Sequence, residues 1–341
     1  HHYDRDITEH CDFLVIGSGP GGIMAARQLA RTGKRVIVVE AGPVARTGSF
    51  SEDPMDVFNR YYWDSGLRTT RGNVMLPTLH PKVLGGGSVF NCAICLRIPD
   101  FQLKRWEKEH GVEGLNTETL APYWDDVESL LKIAPTPPEV QGMRNALFKK
   151  GANALGYGAE PIQRNVTDCK GSARCIVGCP NGAKNSTDYA PVDDVCENGG
   201  RVLTSVFCDK LIMRGNKAAG MIGYTVDPVS GEKTHKVRIT ADCTVVAAGC
   251  MHTPVILQRS GIKNRLIGAN FRVHPGIFTL GEFDEEVVPW EGASQGYHSL
   301  DRLEEGIKLE TLWVTPALIA ARFPGLGERY KGQLANYRHV S

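Results

Sequence analysis

Three cysteines, Cys169, Cys175 and Cys179, fall within eleven residues of CKGSARCIVGCPNG, and a proline follows the last of them. Thiolates this close together are soft ligands that select iron–sulfur clusters, zinc or Cu(I). A proline after the final cysteine recurs in iron–sulfur runs of the ferredoxin type. Structural zinc favours four protein ligands in closely spaced pairs, which C-x5-C-x3-C does not supply, and no histidine lies in the stretch. One disulfide would leave a thiol over, and a loop of small packed side chains is the remaining reading. A second pair, Cys92-Ala93-Ile94-Cys95, has the C-x-x-C spacing of thiol–disulfide exchange, or of two packed side chains that point apart.

A different chemistry belongs to Gly17-Ser18-Gly19-Pro20-Gly21-Gly22. In G-x-G-x-x-G the glycines make a tight turn and let the backbone approach a pyrophosphate, which then sits at a helix N-terminus. Glu40, about twenty residues on, is the acid that can accept from ribose hydroxyls. A later run, Gly85-Gly86-Gly87-Ser88, strips side chains from another stretch of backbone, as a close-bound ligand requires.

These residues need elements to hold them. Phe13 to Ile16 reads as a buried strand, Ile23 to Ala30 as a helix, and Arg35 to Val39 as a second buried strand ending at Glu40. Ala26 is small where helix and sheet pack closely. Val245 to Gly249, VVAAG, reads as another buried strand, with Cys250 after it as a small buried residue. Two stretches have helical apolar spacing, Leu103 with Trp106, then Leu120, Tyr123, Trp124, Val127, Leu130 and Leu131, whose aromatics read as core. Residues 201–242 alternate like strands and turns, with VDPVSGEK as a hairpin connection. APTPPEV at 134–140 is a connector.

Taken in order, GSGPGG, Glu40-Ala41-Gly42, HPKVLGGGSVFNCAIC, VVAAGCMHTPVILQRSGI and IGANFRVHPG resemble the glucose–methanol–choline (GMC) oxidoreductases, from residue 12 to beyond 300. The resemblance implies an α/β fold. A Rossmann-like FAD-binding domain of the GMC and glutathione-reductase type is joined to an α+β substrate-binding domain on an antiparallel sheet. Residues 10–100 and 160–276 would form the FAD domain, including a cysteine loop at 165–187. A helical insertion would occupy 101–159, and 277–341 would begin an incomplete substrate domain.

The FAD contacts implied are Gly17, Ser18, Gly19, Pro20, Gly21 and Gly22, Glu40 and Ala41. Gly85, Gly86, Gly87 and Ser88 join them, with Asn91, Cys92 and Ala93 beside the flavin ring. Val206 meets the adenine through its backbone, and Ala247, Ala248 and Gly249 return against the adenosine half. Phe90 stands where some members carry a histidine bonded to the flavin, so FAD is expected to be held non-covalently. The cysteine spacing resembles that of FAD-dependent glucose and fructose dehydrogenase catalytic subunits. There, Cys169, Cys175 and Cys179 would correspond to ligands of a 3Fe-4S cluster that passes electrons to a cytochrome; other branches keep the segment as a structural loop.

The resemblance therefore implies oxidation of a sugar, cyclic or aryl alcohol by hydride transfer to flavin N5, with electrons leaving to a cytochrome or quinone. A GMC enzyme without a cluster and a non-catalytic FAD electron-transfer subunit are the alternatives. None of the ten histidines stands in the context of the family's catalytic pair, so the catalytic residues are expected beyond Ser341, in a missing segment or another chain. Expected partners are the alcohol and a cytochrome c or small electron-transfer or chaperone subunit. A net charge of +1 gives no reason to expect nucleic acid, and no apolar run reaches the roughly 20 residues that span a bilayer. Ten cysteines are too dilute for a secreted disulfide scaffold, so the expected location is cytoplasmic, or else periplasmic or membrane-associated through a partner.

Overall fold

Val36–Val39, VIVV, is buried at all four positions, the mark of an interior strand covered on both faces. In the computed structural model, which describes residues 3–71 and 73–341, this is β2 of a six-stranded mixed sheet. It lies between the strand Arg201–Leu203 and β1, Ile7–Ile16, parallel to both. On its other side β1 runs parallel to Lys233–Val246, and two antiparallel strands, Lys217–Val226 and Val206–Arg214, complete the sheet. Side chains alternate across β1 and build two cores. Leu14 and Ile16 join Val206, Met221 and Ile239 on one face, and Val15 joins Ile23, Ala26 and Val38 on the other.

The helix α1, Pro20–Ala30, starts three residues before the expected Ile23. Pro20 at its first position loses only an N–H that has no partner within the helix. Ala26 is fully buried, as its small size suggested. Arg27 is buried too, and its Nε donates to Asp194 Oδ2 at 2.6 Å, tying α1 to the helix Ala190–Glu197.

The chain forms two compact units, the first running to Phe90 and resuming over Ser186–Ile277, the second made of Asn91–Asn185 and Phe278–Ser341. Both chain crossings before 277 differ from the expected boundaries at 100 and 160. The cysteine loop therefore belongs to the second unit, because its neighbours Gln163–Asn165 pair with Ile133–Pro135 and Glu160–Pro161 pair with Tyr297–Ser299. The helices Asp100–His110, Thr117–Leu130 and Gly142–Ala154 lie in the same unit. Its antiparallel sheet is short: Glu160–Pro161, Tyr297–Ser299 and Leu309–Glu310. Trp313, Ile319 and Phe323 form a core there, whereas Tyr123 is exposed, contrary to its reading as core.

Asp194 also accepts from Arg31, and these bonds hold its carboxyl below the usual range against the opposing effect of burial. Replacing Asp194 by Asn is expected to destabilise the first unit by roughly 2–4 kcal/mol, because Arg27 keeps its charge in a buried position. A carboxyl held low in the folded state contributes stability that is complete above about pH 4 and lost as pH falls through its folded value. Chemical denaturation of both proteins from pH 7 to 3 checks this, and the two curves should converge at the acid end.

Candidate functional site

Backbone turns at the sheet's C-terminal edge bring most of the expected cofactor residues to one cleft. Gly17 N donates to Val39 O at 2.8 Å, and Ala247 N donates to Ile16 O at 2.8 Å, so three parallel strands end together. The cleft beyond them has about 450 Å³ of free volume. Gly17, Gly19, Pro20, Gly21 and Gly22 line one side, with Glu40 and Ala41 at the end of β2. Gly86 and Gly87, Val206, and Ala247, Ala248 and Gly249 are the other expected residues that line it. The first turn of α1 has no side-chain cap and no acidic residue, leaving its amides available to an anion.

Ser18, Gly85 and Ser88 stand behind this lining and tie its two glycine runs together. The Glu40 carboxylate accepts from Ser18 N at 3.1 Å and Ser18 Oγ at 2.7 Å through Oε2, and from Gly42 N at 2.8 Å through Oε1. Ser18 Oγ in turn accepts from Gly85 N at 3.0 Å. Ser88 Oγ donates to Gly85 O at 2.8 Å and accepts from Thr187 N at 3.0 Å. Burial pushes the Glu40 carboxyl above its usual value, opposed by the hydrogen bonds from Ser18 and Gly42. A carboxylate has about four lone-pair directions. Ser18, Gly42 and the Ala41 N–H take them up inside the protein.

Val245 and Val246 are only partly buried, and the strand that carries them stops at Val246. The expected continuation to Gly249 fails because Gly249, at φ +76°, already opens the helix Gly249–Arg259. Cys250 is exposed in the first turn of that helix, not buried. Phe90 packs against Phe50 and Tyr62, with ring centroids 5.7 and 5.3 Å apart. One wall of the cleft was given no role by the sequence, although His80 and His252 stand inside two of the quoted motifs. Trp63 and His252 face each other at 4.3 Å, His80 lies 5.2 Å from His252, and Arg68 Nη1 is 3.1 Å from His252 Nε2. Burial and then Arg68 bring His252 down to about 4, so it is neutral at pH 7.

Asn91, Cys92 and Ala93 belong to the second unit, where Asn91 Oδ1 accepts from Ala93 N at 3.0 Å and Ala93 takes φ +65°. In that unit Cys169, Cys175 and Cys179 line one small cavity together with Arg164 and Lys184. Each sulfur accepts a hydrogen bond: Cys169 from Gly171 N at 3.5 Å, Cys175 from Arg164 Nη2 at 3.3 Å, and Cys179 from Ala183 N at 3.3 Å. Burial opposes ionisation at Cys175, but Arg164 and Lys184 hold its thiol below the usual value. The three sulfurs do not all lie within 4.8 Å of one another, too wide for the single tetrahedral ion that zinc would be.

The family model described as GMC oxidoreductase matches residues 21–276. The chain belongs to the GMC oxidoreductases. It is 31% identical over 331 residues to an uncharacterized GMC-type oxidoreductase of Mycobacterium tuberculosis, covering 95% of this chain and 51% of that protein. To the long-chain-alcohol oxidase FAO4B of Arabidopsis thaliana it is 30% identical over 344 residues, covering 96% of this chain and 46% of the relative. This GMC chain thus spans about half the length of the curated relatives it matches. Its fold is similar to that of pyridoxine 4-oxidase from Mesorbium loti, with a TM-score of 0.61 at 17% identity over 85% of this chain and 62% of the other.

The cofactor this fold implies is FAD, and the cleft suits it. A Cβ on Gly19, Gly21 or Gly87 would meet no protein atom within 4 Å, so what these glycines keep clear is the cleft itself. Gly22 is needed inside the protein: its Cβ would lie 2.0 Å from Gly17 O. For an iron–sulfur cluster the donors fit, being three hydrogen-bonded thiols beside buried cations. The space among them is about 10 Å³, roughly one water, and smaller than a cluster.

Gly22→Ala is expected to abolish retention of FAD through collapse of the turn. Glu40→Gln, which presents an NH2 to N–H donors, should weaken FAD binding about tenfold or more. Flavin absorbance per protein after gel filtration, and titration of the apoprotein with FAD, measure both.

Proposed function

We propose that this chain is the FAD-binding part of an enzyme that oxidises an alcohol. The observation that carries the reading is the glycine-lined cleft at the ends of three parallel strands, closed by a buried acid and lying within a GMC family match. Bound FAD supplies a two-electron acceptor for hydride from the alcohol carbon. The chain's own work is to hold it. The free amides at the start of α1 face the pyrophosphate, and Glu40, at the end of β2, stands where its carboxylate meets the ribose. On one wall His252 stays neutral at pH 7 against Trp63, with the charge of Arg68 beside it. Phe90, packed in its aromatic cluster, offers no nucleophile, in keeping with non-covalent FAD.

The alcohol's class is favoured by the relatives: the Arabidopsis proteins are long-chain-alcohol oxidases, which supports a primary, largely apolar alcohol over a sugar. The general base that removes the hydroxyl proton is assigned to the part of the family fold that this chain does not cover. A second reading concerns the electron acceptor. Cys169, Cys175 and Cys179 would hold a 3Fe-4S cluster, which supplies one-electron exchange and suits a cytochrome or quinone better than oxygen. The three sulfurs around one cavity, with Arg164 and Lys184 beside them, support it.

Anaerobic mixing of the full-length protein with dodecanol, benzyl alcohol and glucose tests the main reading. Flavin absorbance should bleach with an alcohol, fastest with dodecanol. If dithionite bleaches the flavin and none of the alcohols does, the alcohol reading fails and an electron-transfer subunit replaces it. Reoxidation by oxygen against cytochrome c then separates oxidase from dehydrogenase.

A further inference from the structure

The glycine-lined cleft has an end that no glycine turn lines. The pyrophosphate belongs at the start of α1 and the ribose at the end of β2, so the base of a dinucleotide lies farther along, past Val206. Val206 N donates to Glu40 O at 2.8 Å, which starts the strand Val206–Arg214 at the ribose position. On that strand Phe207 and Asp209, two residues apart, share one face, and both line the cleft. The helix Gly249–Arg259 adds His252 and Arg259 to the lining, seven residues apart along one helix face.

Trp63, which also lines the cleft, joins the two elements. Its ring centroid lies 4.3 Å from that of His252 and 6.1 Å from that of Phe207. Arg68 and Lys82 stand 4.9 and 5.2 Å from the centre of the indole and hold it in place. An arginine only donates, so the 3.1 Å contact from Arg68 Nη1 makes His252 Nε2 an acceptor and the imidazole neutral. This end of the cleft therefore presents two uncharged aromatic rings. Beside them Asp209 Oδ1 accepts from Arg259 Nη2, while Oδ2 has no partner among the described residues. One carboxylate oxygen is left to accept from a ligand.

We propose that Trp63 and His252 hold the adenine of FAD by stacking and that Asp209 accepts from its exocyclic amine, so that this end of the cleft selects an adenine nucleotide by itself. This rests on FAD as the occupant of the cleft. Stacking does not distinguish one purine from another, because every base has a π face. Selection falls to Asp209. Hypoxanthine carries a carbonyl where adenine carries its amine, which would set one acceptor against another.

Titration calorimetry of the full-length apoprotein with ADP, inosine diphosphate and FAD tests it. ADP, which carries no flavin, is expected to bind and to be displaced by FAD, with inosine diphosphate about tenfold weaker or more. Trp63→Leu and His252→Leu should each lose about five- to a hundredfold toward both diphosphates with their ratio kept, and Trp63→Phe should lose less. Asp209→Asn, which offers a donor to the carbonyl as well as an acceptor to the amine, should bring the two affinities together. A thermal transition like that of the wild type shows that a variant has folded. Equal wild-type affinity for the two diphosphates overturns the role of Asp209, and ADP binding unchanged in Trp63→Leu and His252→Leu overturns the stacking. FAD that binds while ADP does not compete overturns the whole inference and leaves the FAD reading standing. Failure of the wild type to bind FAD overturns both.

Discussion

One buried carboxylate organises the cofactor cleft. Glu40 ends β2 and takes hydrogen bonds from Ser18, on the first glycine turn, and from Gly42 on its own. Ser18 passes the connection to Gly85, at the head of the second glycine run. Three chain segments far apart in sequence are therefore registered by one side chain and one hydroxyl. Desolvating an acid costs free energy that only such a full set of donors offsets. Glycine turns have little intrinsic preference for one conformation. The knot supplies the preference.

This arrangement also shows how far the sequence could be read. The βαβ unit was legible because a buried apolar run, a glycine turn and a terminal acid each have a local physical signature. That Glu40 ends the second strand was legible too, but not the link from its partner Ser18 on to Gly85, since those two lie 67 positions apart and no periodicity joins them. Trp63, His80 and His252 were not read as neighbours for the same reason. They meet only because the chain returns to the cleft at the helix Gly249–Arg259. Tyr123 misled in the opposite direction: helical spacing identified the helix, but a spacing rule does not say which flank of the apolar stripe meets the core.

The cysteines divide along the same line. Spacing alone named Cys169, Cys175 and Cys179 as one group, and the structure gathers them around one cavity. Spacing left Cys92 and Cys95 open between thiol exchange and two packed side chains that point apart; both are free thiols, and the segment of Cys92 is held through its backbone by Arg164 and Lys184. The deciding groups are cations more than 70 residues downstream of Cys92. Charges buried without carboxylates announce themselves only once burial is known.

The order of strands in the first unit has a consequence for how the chain is made. β1 is central, flanked by β2 on one side and by Lys233–Val246 on the other, and β2 waits for Arg201–Leu203. During synthesis, at about 5–20 residues per second, the nucleotide-binding turn emerges with both outer edges of its strand pair bare for on the order of ten seconds or longer. Over that interval the VIVV strand offers an unpaired apolar edge to any neighbouring chain. The residues from Asn91 to Asn185 leave the ribosome during this wait. Slow decoding between positions 91 and 200 would therefore lower the yield of folded protein while leaving the finished molecule unchanged.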